Sequence, residues 1–247
     1  MSRRNRLAAL LAPAVFALVL AGCGTSSTPK SSSGGISNNL TNAFSFASAS
    51  LPAYTADYAI TGAGTGSMSV TVAQQGRSET LVKVHQEIAT TVEDDTIVLT
   101  RKGLGFVSAK EDATAPGHHL TISAKVQGKK IVESATVDGK AESVSYPFTQ
   151  KTLVNVALLA VLAGTDLHPG QLQIVQDVIL KHGVAVPIGF TANDRTKVTT
   201  PAGTFSVVPV TLSGSGPNQH VYVDTQNHVM VKYVNNQTTI SLTKLAR

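Results

Sequence analysis

The sequence has 247 residues, of which 42% are hydrophobic, 14% are charged and 5% are aromatic, and its formal net charge is +5. This hydrophobic fraction suffices for a folded core, so a chain that is disordered throughout is excluded. A single cysteine excludes an internal disulfide framework and a cysteine-rich metal site. The lack of tryptophan argues against an aromatic platform that stacks nucleotide bases.

The N-terminal residues have the pattern of a secretory signal peptide. Three arginines within the first six residues precede an apolar run over residues 7–20. This run is shorter than the roughly 20 residues that a membrane-spanning helix needs, so we expect residues 1–22 to be removed. Their removal takes away three positive charges and lowers the formal charge from +5 to +2. Because the remaining basic residues are scattered, we expect no nucleic-acid binding.

The apolar run ends in Leu20-Ala21-Gly22-Cys23, which resembles the lipobox of bacterial lipoproteins. The resemblance implies that the Cys23 thiol is acylated, with chains such as palmitate, and that Cys23 becomes the first residue of the mature protein. Two or three acyl chains hold a protein stably on a membrane. Gly24 is not the aspartate of an inner-membrane retention signal. The expected location is therefore the periplasmic face of an outer membrane, or the outer face of the cell membrane in a one-membrane organism.

Residues 23–50 are predicted to form a lipidated flexible tether. From position 24 to position 50 the sequence contains 12 serines or threonines among 27 residues and a single charged residue, Lys30. Such a segment buries too little apolar surface to offset the entropy of ordering its backbone.

Residues 51–247 are predicted to form a single β-domain, because apolar and polar residues alternate with a period of two in many short runs. Turn sequences separate the runs, and Asp138-Gly139 fits a type I′ hairpin turn. About ten strands joined by such turns form a curved antiparallel sheet, a half-barrel, rather than a flat one. The alternating runs are residues 67–72, 81–88, 96–100, 120–126, 130–137, 142–146, 172–180, 204–212, 220–224, 229–234 and 239–244.

One segment breaks the period of two. Residues 153–163 are apolar at every position except Asn155, with Thr152 placed to cap a helix and Gly164 placed to end it. A helix that is apolar all round is buried on all sides. We therefore expect one short helix packed on the concave face of the sheet.

The hairpin sequence Thr200-Pro201-Ala202-Gly203-Thr204-Phe205, with Pro169-Gly170 before it and Val221-Tyr222-Val223-Asp224 after it, resembles the C-terminal half of an uncharacterised bacterial envelope family, a domain of unknown function. The resemblance covers about residues 55–245. That family is similar in architecture to the outer-membrane lipoprotein carriers and receptors, in which a curved sheet and a lid of helices enclose an apolar cavity. It therefore implies a half-barrel fold.

Residues that could carry catalysis are few. The sequence contains neither a G-x-S-x-G elbow nor an H-E-x-x-H motif, so we expect no enzyme activity and no cofactor. His220, Tyr222 and Asp224 share one face of a predicted strand, where an aspartate could orient a histidine. The alternative interpretation is an exposed polar strand face.

We expect no metal site. His118 and His119 are adjacent and are interpreted as loop residues that cannot share an ion. The acidic residues lack the spacing of a calcium loop and are interpreted as solvated turns or loop flanks. These acidic residues are Glu93, Asp94, Asp95, Glu111 and Asp112.

Two functions remain open. In the first, the protein binds a lipid or another apolar molecule between the sheet and the helix, through Val154, Leu158, Val161 and Leu162. In the second, it is a non-catalytic protein-interaction module of envelope assembly with a filled core. A cavity of about 300 Å³ or more would favour the first function, and a filled interior would favour the second.

Overall fold

The computed structural model describes residues 46–149, 152–180, 184–214 and 219–247, without the side chains of Ala47 and Val184. The predicted signal peptide, Cys23 and most of the predicted tether lie outside these residues. Within the described ranges, no helix is both long and apolar enough to cross a bilayer.

Sixteen strands make up most of the described structure, where the sequence predicted about ten. In chain order they are β1 Tyr54–Gly62, β2 Gly66–Gln75, β3 Glu79–Ile88, β4 Thr91–Thr100, β5 Phe106–Ala115, β6 His118–Gln127, β7 Lys130–Val137, β8 Lys140–Pro147, β9 Thr152–Val154, β10 Leu172–Ile179, β11 Val184–Ala192, β12 Thr196–Thr200, β13 Gly203–Ser213, β14 Gln219–Asp224, β15 Val229–Val234 and β16 Thr238–Ala246.

The strands form one large open sheet in the order β8-β7-β6-β5-β4-β3-β2-β1-β16-β15-β14-β13-β11-β10-β9, with β12 paired to β13. β1 and β16 pair with each other in the middle of this order, so both are interior strands of the sheet. Among the strand pairs of the described residues, the β9–β10 pair alone is parallel. The predicted fold class, a curved mainly antiparallel sheet with one short helix, is confirmed.

The hairpin turns follow the predicted chemistry. Asp138 and Gly139 both have positive φ, +48° and +81°, as a type I′ turn requires. The Thr200 to Phe205 sequence forms the predicted tight connection, in which Thr200 pairs with Gly203 across a two-residue turn between β12 and β13.

The predicted helix over residues 153–163 is shorter in the structure. The α-helix, α1, spans Leu158–Gly164, and a 3-10 turn over Asn155–Ala157 precedes it. The prediction was wrong for the first residues, because Thr152–Val154 forms β9 and pairs with β10. The Asn155 side chain then accepts a hydrogen bond from the Leu180 backbone N–H at 3.1 Å, which ties the 3-10 turn to the end of β10.

The helix packs against the sheet through a buried face. Leu158, Val161 and Leu162 are almost fully buried, and α1 contacts β14 and β15. The spacing of these three residues, i, i+3 and i+4, places them on one side of the helix. Burial of this side fixes α1 on the concave face of the sheet.

Residues 46–50, which the sequence placed at the end of the tether, contact the β-domain in the structure. Residues Phe46–Ser48 form a 3-10 turn, and Ala49 is buried in the core. The Ser50 backbone N–H donates to the Gly164 carbonyl oxygen at 3.0 Å, and the Ala49 carbonyl accepts from Gly103 N–H at 2.8 Å. The last residues of the predicted tether are therefore part of the domain.

Candidate functional site

A cleft lies between α1 and the first strands, in the place where the sequence predicted an apolar site. Its lining is almost entirely apolar and comes from β1, β2, β3, the segment around α1, and β15. The lining residues are Tyr54, Tyr58, Met68, Val70, Val82, Val84, Val156, Leu159, Ala160, Ala163 and Met230. Its cavity volume is about 30 Å³, which is space for one or two water molecules and far less than the roughly 300–1,000 Å³ of a ligand pocket.

The four residues predicted to bind a ligand lie outside this lining. Val154 is in β9, and Leu158, Val161 and Leu162 form the buried side of α1. The cleft is instead bordered by the neighbouring side of the helix, which carries Leu159, Ala160 and Ala163. Ligand binding by the predicted residues stays a prediction.

The polar groups of the cleft are neutral tyrosines. The Tyr58 hydroxyl is buried and donates to the Met230 carbonyl oxygen at 3.0 Å. Burial, together with the nearby Tyr54 and Asp57, raises the pKa of Tyr58 well above its ordinary value. Burial also raises the pKa of Tyr54. The two tyrosines therefore bring no charge to the cleft near neutral pH.

The outer end of the sheet presents an apolar edge. Leu172 and Ile174 in β10 are 48% and 58% exposed, and they are two of the three exposed large hydrophobic residues in the described part of the chain. Strand β9 pairs only with residues 176–178 of β10. In the described structure, the first half of β10 therefore has a neighbouring strand on one side only.

The backbone of this edge is directed outward at the same two residues. The Ala192 N–H donates to the Gln171 carbonyl at 2.9 Å, and Gln171 and Ala192 continue the register of the β10–β11 ladder. Hydrogen-bonded and non-hydrogen-bonded positions alternate along an antiparallel pair. Leu172 and Ile174 are therefore non-hydrogen-bonded positions relative to β11, and their backbone groups face away from it.

Three carboxylates meet on the concave face of β4 and β5. Glu93, Asp95 and Glu111 are only 1–3% exposed, and one oxygen from each lies within 4.8 Å of the others. Asp95 stands directly opposite Glu111 in the β4–β5 ladder. These oxygens form a donor set of the type that hard cations prefer.

A fourth polar group belongs to the same face. Gln86 of β3 pairs directly with Glu93 of β4, so the two side chains extend from the same side of the sheet. Gln86 is 3% exposed, and its amide oxygen accepts no hydrogen bond. We name Gln86, Glu93, Asp95 and Glu111 the carboxylate cluster.

The interpretation of these acidic residues as solvated turns or loop flanks was wrong for all five, because they lie within β4 and β5. The signal was in the sequence, since Glu93 and Asp95 continue the same period of two as the buried Ile97 and Leu99. Their neighbour Asp94 points the other way, is exposed, and contacts His85 Nδ1 at 2.8 Å. The hydrogen bond to Asp94 raises the pKa of His85.

His118 and His119 were also misassigned as loop residues, because they begin β6. They do face different partners, as adjacent strand residues must. His118 Nδ1 lies 2.9 Å from an Asp138 oxygen, and His119 Nε2 lies 3.0 Å from an Asp112 oxygen. The hydrogen bond from His118 lowers the pKa of Asp138.

The His220, Tyr222 and Asp224 face does not form a catalytic arrangement. The β13–β14 ladder is regular, so His220 and Tyr222 share one face of β14, and the extra residue of the β14–β15 register shift, Val231, belongs to β15. Asp224 is buried and accepts hydrogen bonds from the backbone N–H groups of Gln226 and Asn227 at 2.9 and 3.1 Å. Asp224 therefore fixes the turn after β14 instead of orienting His220, whose Nδ1 lies 3.3 Å from the Thr211 hydroxyl.

The fold has relatives among solved structures. No protein-family model matches the chain, and no curated protein matches it in sequence. A β-barrel-like protein of the domain of unknown function DUF1849 from Brucella abortus superposes with a TM-score of 0.56 at 13% identity, over 80% of this chain and 98% of that one.

Two further structures overlap with lower scores. A protein from Bacteroides fragilis, described as exported and with a YmcC-like fold, has a TM-score of 0.32 at 12% identity, over 83% of this chain and 100% of that one. A protein from Parabacteroides distasonis, described as a lipoprotein, has a TM-score of 0.30 at 12% identity, over 82% and 99%. Only the first of the three scores is high enough to indicate a shared fold, so the chain has the β-barrel-like fold of that domain of unknown function.

Proposed function

We propose that the protein is an exported, lipid-anchored envelope protein whose β-domain acts without catalysis as a protein-interaction module. The signal-peptide pattern and the lipobox-like sequence at Cys23 support the export and the anchor. The observation that carries the interaction is the apolar edge of β10. Exposed apolar residues on an open strand edge are typical of sites where another chain adds a strand.

The partner that fits this edge is an extended segment of another envelope protein. Outward backbone groups at Leu172 and Ile174 supply main-chain hydrogen bonds, and the two side chains supply apolar contacts on one face. The small volume of the cleft, about 30 Å³, favours this module over a carrier of apolar cargo.

Photo-crosslinking in intact cells tests the edge. A photoreactive amino acid at position 172 should give an adduct of one defined mass. In the same background Ile174→Pro should reduce the adduct to background, because proline removes an outward N–H without breaking the β11 ladder. Ile174→Val is the matched control and should keep the adduct. No adduct, or an adduct that Ile174→Pro leaves intact, would refute the proposed edge interaction.

Fractionation tests the anchor separately. Cys23→Ser should move the protein from the membrane fraction to the soluble fraction, whereas Ser26→Ala should leave it on the membrane. In a two-membrane host, Gly24→Asp should shift the protein from the outer to the inner membrane. Membrane association that survives Cys23→Ser would show that Cys23 is not the anchor.

Binding of an apolar ligand is the second candidate, and the apolar lining of the cleft favours it. At about 30 Å³ the cleft admits an acyl chain only if α1 moves away from β1–β3. Uptake of a fluorescent fatty acid tests this function. Ala160→Trp should abolish uptake by filling the cleft, and Val92→Trp, at an exposed position on β4, should not. No uptake by the unmodified protein, together with a ligand-free mass in native mass spectrometry, would eliminate this candidate.

A further inference from the structure

The carboxylate cluster places three acidic side chains close together in the interior. Glu93 and Asp95 are two residues apart on β4 and share its buried face, and Glu111 lies opposite Asp95 on β5. Two unit charges about 4 Å apart repel by about 4 kcal/mol at an effective dielectric constant near 20. Charges buried at this spacing are stabilised when a cation joins them.

Gln86 supplies an independent observation. Its amide oxygen is buried without a hydrogen-bond donor, although buried polar atoms are nearly always hydrogen-bonded. Gln86 stands opposite Glu93 on the same face, so this oxygen belongs to the surroundings of the three carboxylates. An amide oxygen without a donor beside carboxylate oxygens is an available ligand for a metal ion.

From this arrangement, we infer that the carboxylate cluster is a calcium-binding site on the concave face of β3, β4 and β5. The four side chains offer oxygen ligands only, and oxygen-only donor sets select calcium, magnesium or manganese rather than zinc or copper. Two oxygens that bind one ion lie at most twice the metal–oxygen distance apart. That limit is about 4.2 Å for magnesium and about 4.6–5.2 Å for calcium.

The three carboxylate oxygens lie within 4.8 Å of one another, and small side-chain movements bring them onto one ion. Calcium requires less movement than magnesium, because its metal–oxygen distances are longer and its coordination geometry is more flexible. The strands around the site are also joined at fixed register. Asp95 pairs with Glu111, and Gln86 pairs with Glu93, so the ligands come from three neighbouring strands rather than from one loop. A bound ion would hold β3, β4 and β5 together, and its release would loosen them.

Calorimetric titration of the detergent-extracted full-length protein with calcium chloride, after treatment with EDTA and its removal, tests the inference. The protein should bind one calcium ion per chain with a Kd of about 1 mM or tighter, and calcium should raise its melting temperature. Magnesium chloride should bind at least about tenfold more weakly. Equal binding of magnesium would overturn the assignment of the ion.

Two matched pairs of variants localise the binding. Glu93→Gln and Glu111→Gln keep side-chain size, remove one ligand charge each, and should weaken calcium binding at least about tenfold. Asp94→Asn and Asp112→Asn remove a charge from the adjacent, exposed positions of the same strands and should leave the affinity unchanged. Circular dichroism in EDTA identifies any variant that fails to fold. If one glutamate variant does not fold, the other glutamate variant and its exposed control provide the test.

The inference fails if titration of the unmodified protein with calcium releases or absorbs no heat of binding and if calcium does not change its melting temperature. It also fails if folded Glu93→Gln and Glu111→Gln bind as tightly as the exposed controls. This result is independent of the proposed interaction module, because the apolar edge of β10 lies at the other end of the sheet order from β3–β5. Ile174→Pro should therefore leave calcium binding intact.

Discussion

Gln86 and Glu93 face each other directly across the β3–β4 ladder, and both side chains are buried on the concave face of the sheet. A buried amide oxygen that accepts no hydrogen bond has lost its hydration without compensation. We therefore expect Gln86 to lower the stability of the metal-free protein and to strengthen its binding of a cation.

Gln86→Leu separates these two effects. In EDTA, the free energy of unfolding of the variant should be about 1 kcal/mol higher than that of the unmodified protein. The reason is that leucine removes a buried acceptor that has no donor. In calcium chloride the same variant should bind the ion more weakly, because one ligand oxygen is lost. Urea denaturation in EDTA and calorimetric titration give the two measurements. Lower stability in EDTA would show that the amide makes a favourable interaction in the apo protein.

Asp177 should make stability depend on pH. Burial in β10 raises the pKa of its carboxyl from 3.8 to about 7. Between these values the folded state keeps the proton that the unfolded state has lost, so the free energy of unfolding falls as pH rises from about 4 to about 7. A shift of about three units corresponds to about 4 kcal/mol in total.

Asp177→Asn should remove this dependence. Its stability relative to the unmodified protein should rise steadily between pH 4.5 and pH 7.5, measured by urea denaturation at intervals across that range. Asp194→Asn, at an exposed position, is the control and should follow the unmodified protein. If the difference between Asp177→Asn and the unmodified protein is constant across the range, Asp177 titrates alike in both states.

The sequence predicted the architecture because most of its strands carry one apolar and one polar face. The run over Lys130–Val137 coincides with β7, and the run over Val229–Val234 coincides with β15. Strand β5 was not predicted, because both of its faces carry polar residues in the middle of the strand. Lys110 and Asp112 lie on the exposed face, and Glu111 lies on the buried face. A polar residue on the buried face erases the alternation on which the prediction depends.

The candidate sites were less predictable, for two physical reasons. Acidic residues are usually exposed, so Glu93 and Asp95 were interpreted as solvated although their spacing places them on the face of Ile97. The apolar edge of β10 depends on pairing between distant segments, since only the register of β9 shows which residues stay uncovered. The lining of the cleft depends on the residue at which α1 begins, which the sequence pattern did not give.

Tyr58→Phe should weaken the contact between β1 and β15. The Tyr58 hydroxyl in β1 donates to the Met230 carbonyl in β15 across 172 positions of sequence. Its loss leaves a buried carbonyl without this donor, which should lower the free energy of unfolding by about 1–2 kcal/mol in urea. Tyr222→Phe, at a half-buried position, should change it by less than about 0.5 kcal/mol. Equal effects of the two substitutions would contradict the role of this hydrogen bond.

Gly164→Ala should destabilise the protein although alanine is the better helix former by about 1 kcal/mol. A Cβ at this last residue of α1 would overlap the Leu104 side chain and lie 2.9 Å from the Ser50 carbonyl oxygen. The Ser50 backbone also donates to the Gly164 carbonyl, so the clash pushes apart the two segments that this hydrogen bond joins. Forced repacking of this kind costs about 1–3 kcal/mol.

Urea denaturation and limited proteolysis test this substitution together. Gly164→Ala should lower the midpoint of unfolding and should also speed cleavage within residues 46–50, because these residues are held against the end of α1. Ala160→Gly, on the half-exposed side of the same helix, isolates the effect of helix propensity and should leave the cleavage rate unchanged. Faster cleavage in both variants would mean that general loosening of α1, rather than the close contact at Gly164, holds the N-terminal segment in place.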